Sequence, residues 1–153
     1  MFIFLDIDGV MVPAKGWASP ELLNDGFPAF SSKACSTLNS LISENTTVIL
    51  TSSHKSNYTV TEWKTIFRKR GVDIKNLQLL VGNMNNLTRK EEIENWFSIN
   101  GTNEDFIIID DDKSLNSLPK SLKENLVLTR PFIGLTEADL KNVKAVTDHL
   151  NSI

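Results

Sequence analysis

The chain has 153 residues, 41% of them hydrophobic and 23% charged, and carries a net charge of -3. That length buries a core without staples, and the single Cys35 leaves no internal disulfide to form. The slightly acidic balance argues against a non-specific polyanion binder while leaving a local basic patch open, and no stretch approaches the roughly 20 apolar residues of a membrane span.

Met1-Phe2-Ile3-Phe4-Leu5 is apolar but stops at Asp6 and has no basic leader. It reads as a buried first strand rather than a signal peptide, and the expected compartment is cytoplasmic. Residues 9–30 hold three glycines and three prolines and read as an irregular loop with a small hairpin. A helix is predicted from Ser32 to about Glu44, with Ala34, Leu38, Leu41 and Ile42 near one face. Thr47–Leu50 is a second strand, and Thr61 to Arg70 a helix carrying Trp63, Ile66 and Phe67 and stopping at Gly71. Leu77–Val81 is a third strand. Arg89 to Ile99 is a helix carrying Ile93, Trp96 and Phe97, with Gly101 beyond it. Phe106–Ile109 and Leu126–Leu128 complete the strands, with a short helix around 117–123 between them. A last helix runs from the N-cap Thr136 to Leu150, with Glu137 and Asp139 in its first turn, where carboxylates suit the helix dipole. Apolar runs without polar alternation, separated by helices, indicate an α/β fold with a parallel sheet covered on both faces.

Ligands of such sheets gather where the strands end. Asp6-Ile7-Asp8-Gly9 follows the first strand, Thr51-Ser52-Ser53-His54-Lys55 the second and Asp110-Asp111-Asp112 the fourth. Residues two apart on a strand share a side, and Gly9 lets the chain turn away at once. Asp6 and Asp8 set opposite Asp110 and Asp111 repel one another, and a hard divalent cation removes that conflict. Oxygen-only ligands with room for waters suit Mg²⁺ better than zinc. Alone, Asp-x-Asp reads equally well as a strand-end turn, and three aspartates as a solvated loop; the ordered conjunction carries the weight. Thr51 and Ser52 suit phosphoryl oxygens, with turn capping as the competing role. A phosphate site also needs a cation, for which Lys55, Arg89 and Lys90 are the candidates, the last two at a helix N-terminus. His54 reads more readily as a surface or packing residue than as one that tunes binding beside the site.

Taken in this order, Phe-Ile-Phe-Leu-Asp6-Ile-Asp8-Gly9-Val, Val-Ile-Leu-Thr51-Ser52 and Ile-Ile-Ile-Asp110-Asp111 resemble the first, second and fourth motifs of the haloacid dehalogenase (HAD) superfamily phosphatases. The closer resemblance is to the small capless HAD domain of Swiss Army Knife RNA repair proteins, through Thr51-Ser52-Ser53-His54-Lys55, the helix from Arg89 to Trp96, Asp110-Asp111-Asp112 and Gly134-Leu135-Thr136-Glu137-Ala138-Asp139. That branch often has Ser-Ser-Ser-Trp-Arg at the second motif, so His54 and Lys55 depart from it, and lysine offers no planar fork.

The resemblance implies one HAD-like domain over residues 1–153: a three-layer Rossmann-like fold with a central parallel sheet of about five strands and no large cap. It implies a Mg²⁺-dependent phosphohydrolase. Asp6 would be the nucleophile that becomes an aspartyl-phosphate, and Asp8 the general acid and base. The metal would be held by the Asp6 carboxylate, the Asp8 main-chain carbonyl and Asp110, with Asp111 acting through water. Thr51 and Ser52 would bind the phosphoryl group, and Arg89, Lys90 or Lys55 would supply the third-motif cation. An open site suits a phosphate on a bulky partner, such as a nucleic-acid end or a nucleotide, or a promiscuous small substrate. Lys64, Arg68, Lys69, Arg70 and Lys75 form a basic cluster that reads more readily as a solvated helix face than as a polyanion guide. Trp17, Phe27 and Phe30 read more readily as packing beneath the first loop than as a base-stacking platform. A catalytically weak or inactive phosphate-binding module is the alternative, against which both aspartates stand. A two-component receiver would carry its phosphorylated Asp after the third strand, where this chain has Val81-Gly82-Asn83.

Overall fold

Five short apolar runs form one all-parallel sheet in the computed structural model, which describes residues 1–15, 20–80, 87–101, 103–141 and 143. The strands are β1 (Phe2–Leu5), β2 (Thr47–Leu50), β3 (Asn76–Leu79), β4 (Phe106–Asp110) and β5 (Leu126–Leu128), in the spatial order β3-β2-β1-β4-β5. The helices are α1 (Ser32–Leu41), α2 (Val60–Lys69), α3 (Arg89–Asn100) and α4 (Lys120–Lys123).

Successive side chains of a strand point to opposite faces, and each face here meets a helical layer. Ile3 and Leu5 of β1, with Val48, Leu50, Ile107 and Ile109 beside them, pack with Leu38 and Leu41 of α1 and Trp63 and Phe67 of α2. Phe4, Ile49 and Ile108 point the other way, into a second core with Ile93 of α3, Leu115 and Leu118. Trp96 of α3 meets Phe2 and Phe4 edge to face, with ring centroids 5.3 and 5.0 Å apart. Each large side chain so buried contributes about 1.5–3 kcal/mol. The result is the three-layer Rossmann-like arrangement expected. No cap stands over the strand ends among the described residues, and no helix there is long and apolar enough to cross a membrane.

Several boundaries differ from the sequence expectation for local reasons. α1 stops at Leu41 because Ile42 is extended and Ser43 and Thr46 close a turn, the Ser43 N–H donating to Thr46 Oγ1 at 2.9 Å. α2 starts one residue early because Thr59 caps it, in a box with Glu62. β3 covers Asn76–Leu79; Val81 lies outside the described residues. The helix expected around 117–123 is split into a 3-10 turn at Lys113–Ser117 and α4. Leu118 precedes Pro119, whose ring disfavours helical backbone in the residue before it, and Leu118 has ψ 152°. Of the final predicted helix, a 3-10 turn at Glu137–Leu140 is described, and residues 142 and 144–153 lie outside.

The first loop contains the small hairpin expected, with an antiparallel bridge between Leu22 and Pro28. Arg70, grouped by sequence with surface charges, is instead a buried clamp on that loop. Its side chain is 2% exposed. It donates to both Asp25 carboxylate oxygens, at 2.7 and 3.0 Å, and to the carbonyls of Phe27, Pro28 and Ile66. Its guanidinium lies 5.6 and 5.0 Å from the ring centroids of Phe27 and Phe30. Those two aromatics therefore serve packing; Trp17 lies outside the described residues. Of the remaining basic cluster, Arg68 and Lys75 both pair with Asp73, which lowers the patch's attraction for a polyanion.

The hydrogen bond from Arg70 holds the Asp25 carboxyl down at about 2. A depressed carboxyl pKa stabilises the fold above its unfolded value, and that contribution fades as pH falls through the folded value. Arg70→Leu is expected to cost about 3 kcal/mol in urea unfolding at pH 7, because it strands a nearly buried carboxylate. The gap between variant and wild type should narrow as pH falls from the ordinary aspartate range toward 2.

Candidate active site

The site follows from strand register. Leu5 pairs with Leu50 of β2 on one side and with Ile109 of β4 on the other. The next residue of each strand is then Asp6, Thr51 or Asp110, side by side along one edge. Main-chain bonds continue the ladder, with Asp6 N–H donating to the Ile109 carbonyl at 3.0 Å and Thr51 N–H to the Leu5 carbonyl at 2.9 Å. Phe4, Ile49 and Ile108 face α3. Two residues further on, Asp6, Thr51 and Asp110 share that side, toward the N-terminus of α3.

There Arg89, the first residue of α3, reaches the acids. Its Nη1 donates to Asp110 Oδ2 and lies 3.4 Å from Asp6 Oδ1. Asp6, Asp110 and Asp111 each place a carboxylate oxygen within 4.8 Å of the others. Asp6 and Asp110 are buried, and Asp111 is half-buried. One guanidinium thus contacts two of the three clustered carboxyl groups. Burial, and next the Asp110 carboxylate, push the Asp6 carboxyl up to about 8 despite Arg89. Burial raises Asp110 as well, against the pull of Arg89. Burial alone would lower Arg89, but Asp110 and Asp6 outweigh it and raise it. An all-oxygen donor set that cannot comfortably ionise on its own fits a hard divalent cation.

Gly9 makes this convergence feasible. It has φ +79°, and a Cβ there would lie 2.1 Å from Asp111 Oδ2. Its carbonyl accepts a buried hydrogen bond of 2.8 Å from Thr129 Oγ1.

The remaining predicted residues divide. Thr51 Oγ1 is buried and has no hydrogen-bonding partner among the described residues, at the strand position next to Asp6. Ser52 Oγ accepts the His54 N–H at 3.1 Å and so shapes the turn. Asp8 lies further out than Asp6, its carboxylate 2.7 Å from His54 Nε2. His54, expected to be a surface or packing residue, therefore contacts an acid of the site. Thr51, Ser53, Lys55, Arg89, Glu92 and Asp112 line a cleft of about 750 Å³. Lys55 Nζ lies 3.3 Å from Glu92 Oε2, with both side chains nearly buried. Lys90, one residue round the helix from Arg89, pairs instead with Glu94 at 3.5 Å. Sequence reading passed over Glu92 and Thr129. Glu92 stands three positions after Arg89, on the same helical face, and that spacing was a usable signal. Nothing local marked Thr129.

A parallel Rossmann-like sheet with an acidic cluster beyond the ends of β1 and β4, and a hydroxyl beyond β2, defines the HAD class of fold and site. Within it, the chain belongs to the family described as the HAD domain in Swiss Army Knife RNA repair proteins, whose model matches residues 2–140. This places it in the hydrolase and phosphatase superfamily. No curated protein and no solved structure matches the chain.

A buried hydroxyl without a partner costs about 1–3 kcal/mol relative to a paired one, whereas an apolar isostere leaves nothing unsatisfied. Thr51→Val is therefore expected to raise the stability of the ligand-free protein by about 1 kcal/mol in chemical denaturation. The same substitution should weaken binding of inorganic phosphate, read by calorimetry.

Proposed function

We propose that the chain is a Mg²⁺-dependent phosphomonoesterase that turns over through an aspartyl-phosphate on Asp6. The observation that carries this reading is the meeting of Asp6, Asp110 and Asp111 within 4.8 Å, which calls for a cation where a phosphoryl group could also sit. Asp6, Asp110 and the Asp8 main-chain carbonyl would hold Mg²⁺, with Asp111 acting through water, and the bound ion would neutralise charge on the phosphoryl oxygens.

Arg89 and the unpartnered Thr51 hydroxyl bind and orient the phosphoryl oxygens. Ser52 holds the turn that carries Thr51, and Lys55 lines the cleft with its charge paired to Glu92. Arg89 takes the third-motif role, while Lys90 belongs to the helix surface. An Asp6 carboxylate oxygen attacks phosphorus as the bond to the leaving oxygen breaks. Asp8 gives its proton to that oxygen, and the alcohol departs. Asp8, now ionised, takes a proton from water as the water oxygen attacks the aspartyl-phosphate. Inorganic phosphate leaves, Asp6 is regenerated as a carboxylate, and Asp8 is protonated again.

The absence of a cap among the described residues suits a phosphate carried by a bulky group. Together with the family's RNA repair context, this favours phosphorylated nucleic-acid ends, or nucleotides, as the substrate class.

With p-nitrophenyl phosphate and Mg²⁺, the purified protein is expected to turn over, and chelation should abolish activity. Asp6→Asn and Asp8→Asn should each lower kcat at least about 100-fold. Turnover that survives both substitutions and metal removal would end the proposal. Phosphate binding without turnover would instead favour a non-catalytic phosphate-binding module. A panel of 3′- and 5′-phosphorylated oligonucleotides, nucleotides and sugar phosphates tests the substrate class, and equal rates across it would remove the preference for nucleic-acid ends.

A further inference from the structure

Asp8 differs from the other acids of the site in being largely exposed, its side chain at 60%. Among the described residues its carboxylate has one hydrogen-bonding partner, His54, with Nε2 2.7 Å from Oδ2. A solvated carboxyl group left to itself samples several rotamers, and a proton donor that wanders loses rate.

His54 is held on two sides. Its N–H donates to Ser52 Oγ at 3.1 Å, and its carbonyl accepts the Asn57 N–H at 2.9 Å. Its ring meets Phe27 edge-on, with centroids 5.9 Å apart and planes at 86°. Phe27 is buried and packs edge-on against Tyr58 and Trp63, while Arg70 ties the Phe27 and Pro28 carbonyls to α2. The His54 backbone is thus held by its own turn, its ring packs on the first loop, and Nε2 points to the acid. A side-chain hydrogen bond this exposed adds little to folding, so its effect belongs in turnover.

We propose that His54 is a positioning residue for Asp8, an inference that rests on the acid–base role proposed above. Nε2–H donates to Oδ2 and keeps its proton throughout. Oδ1 is then the oxygen that hands a proton to the leaving group and takes one back from water. No bond to His54 forms or breaks.

The test compares wild type, His54→Leu and His54→Gln on p-nitrophenyl phosphate and on an alkyl phosphomonoester. The nitrophenolate departs without help, whereas the alkoxide needs the proton. For the alkyl ester, His54→Leu should lower kcat/KM at least about tenfold, with a distinctly smaller loss on the nitrophenyl ester. His54→Gln, whose amide nitrogen can reach the same place, should recover most of the loss, with unfolding temperatures unchanged in both variants. Should His54→Leu not fold, His54→Asn, with its shorter amide, takes its place. Equal losses on the two esters, or no loss on either, would overturn the inference while leaving the phosphatase reading intact. A wild-type protein without Asp6-dependent turnover would remove both.

Discussion

The lateral match of Leu5 with Leu50 and Ile109 is the constraint on which the site rests. Because β1 is central and in equal register with both neighbours, the three strands reach their ends together. A shift of one residue in either pairing would turn that strand's side chains to the other face and send its polar group into the α1–α2 layer. The register is held by side chains remote from the chemistry. Ile3 and Leu5 are locked against one helical layer and Phe4 against the other, so β1 cannot slip without exposing one set or clashing with the other. Hydrophobic packing thereby performs the first step of site assembly.

The second step works against that packing. Burial that helps a leucine penalises a carboxylate, and the edge gathers three acids, two of them in contact with one arginine. Asp6 responds by holding its proton well above the ordinary aspartate range. The thermodynamic strain is local and chemically specific, since a cation relieves it and an apolar ligand does not. The Thr51 hydroxyl, one strand over from Asp6 and without a partner among the described residues, adds a second unmet demand, this one for an acceptor. Two unsatisfied features of opposite electrical character, adjacent and buried, are compatible with a metal and an anion bound together.

Much of the architecture was legible because each strand is a short run of apolar residues punctuated by polar ones, and α2 and α3 each run up to a glycine, Gly71 and Gly101. Asp6, Asp110 and Thr51 were legible for the same reason, as polar residues at the end of apolar runs. What escaped reading depended on phase or on distant partners. Arg89 and Lys90 are adjacent in sequence, yet a helix rotates them onto different faces, and only the docked helix shows which one meets the acids. Arg70 looks like its neighbours Arg68 and Lys69 until the first loop folds over it. His54 was undervalued because its partner lies 46 positions earlier.

Thr129 leads from β5 toward the end of the described chain and carries no reactive group of its own. Its hydroxyl nevertheless supports the Gly9 carbonyl, while Leu135 N–H bonds the Val10 carbonyl at 2.8 Å and Ala14 N–H bonds that of Pro131 at 2.8 Å. Gly134 packs so closely on this seam that a Cβ would lie 2.6 Å from the Val10 oxygen. The segment acts as a splint behind the turn that presents Asp8. A version of the domain trimmed after Asp111 would retain every acid of the cluster and still lose this backing behind Gly9 and Val10.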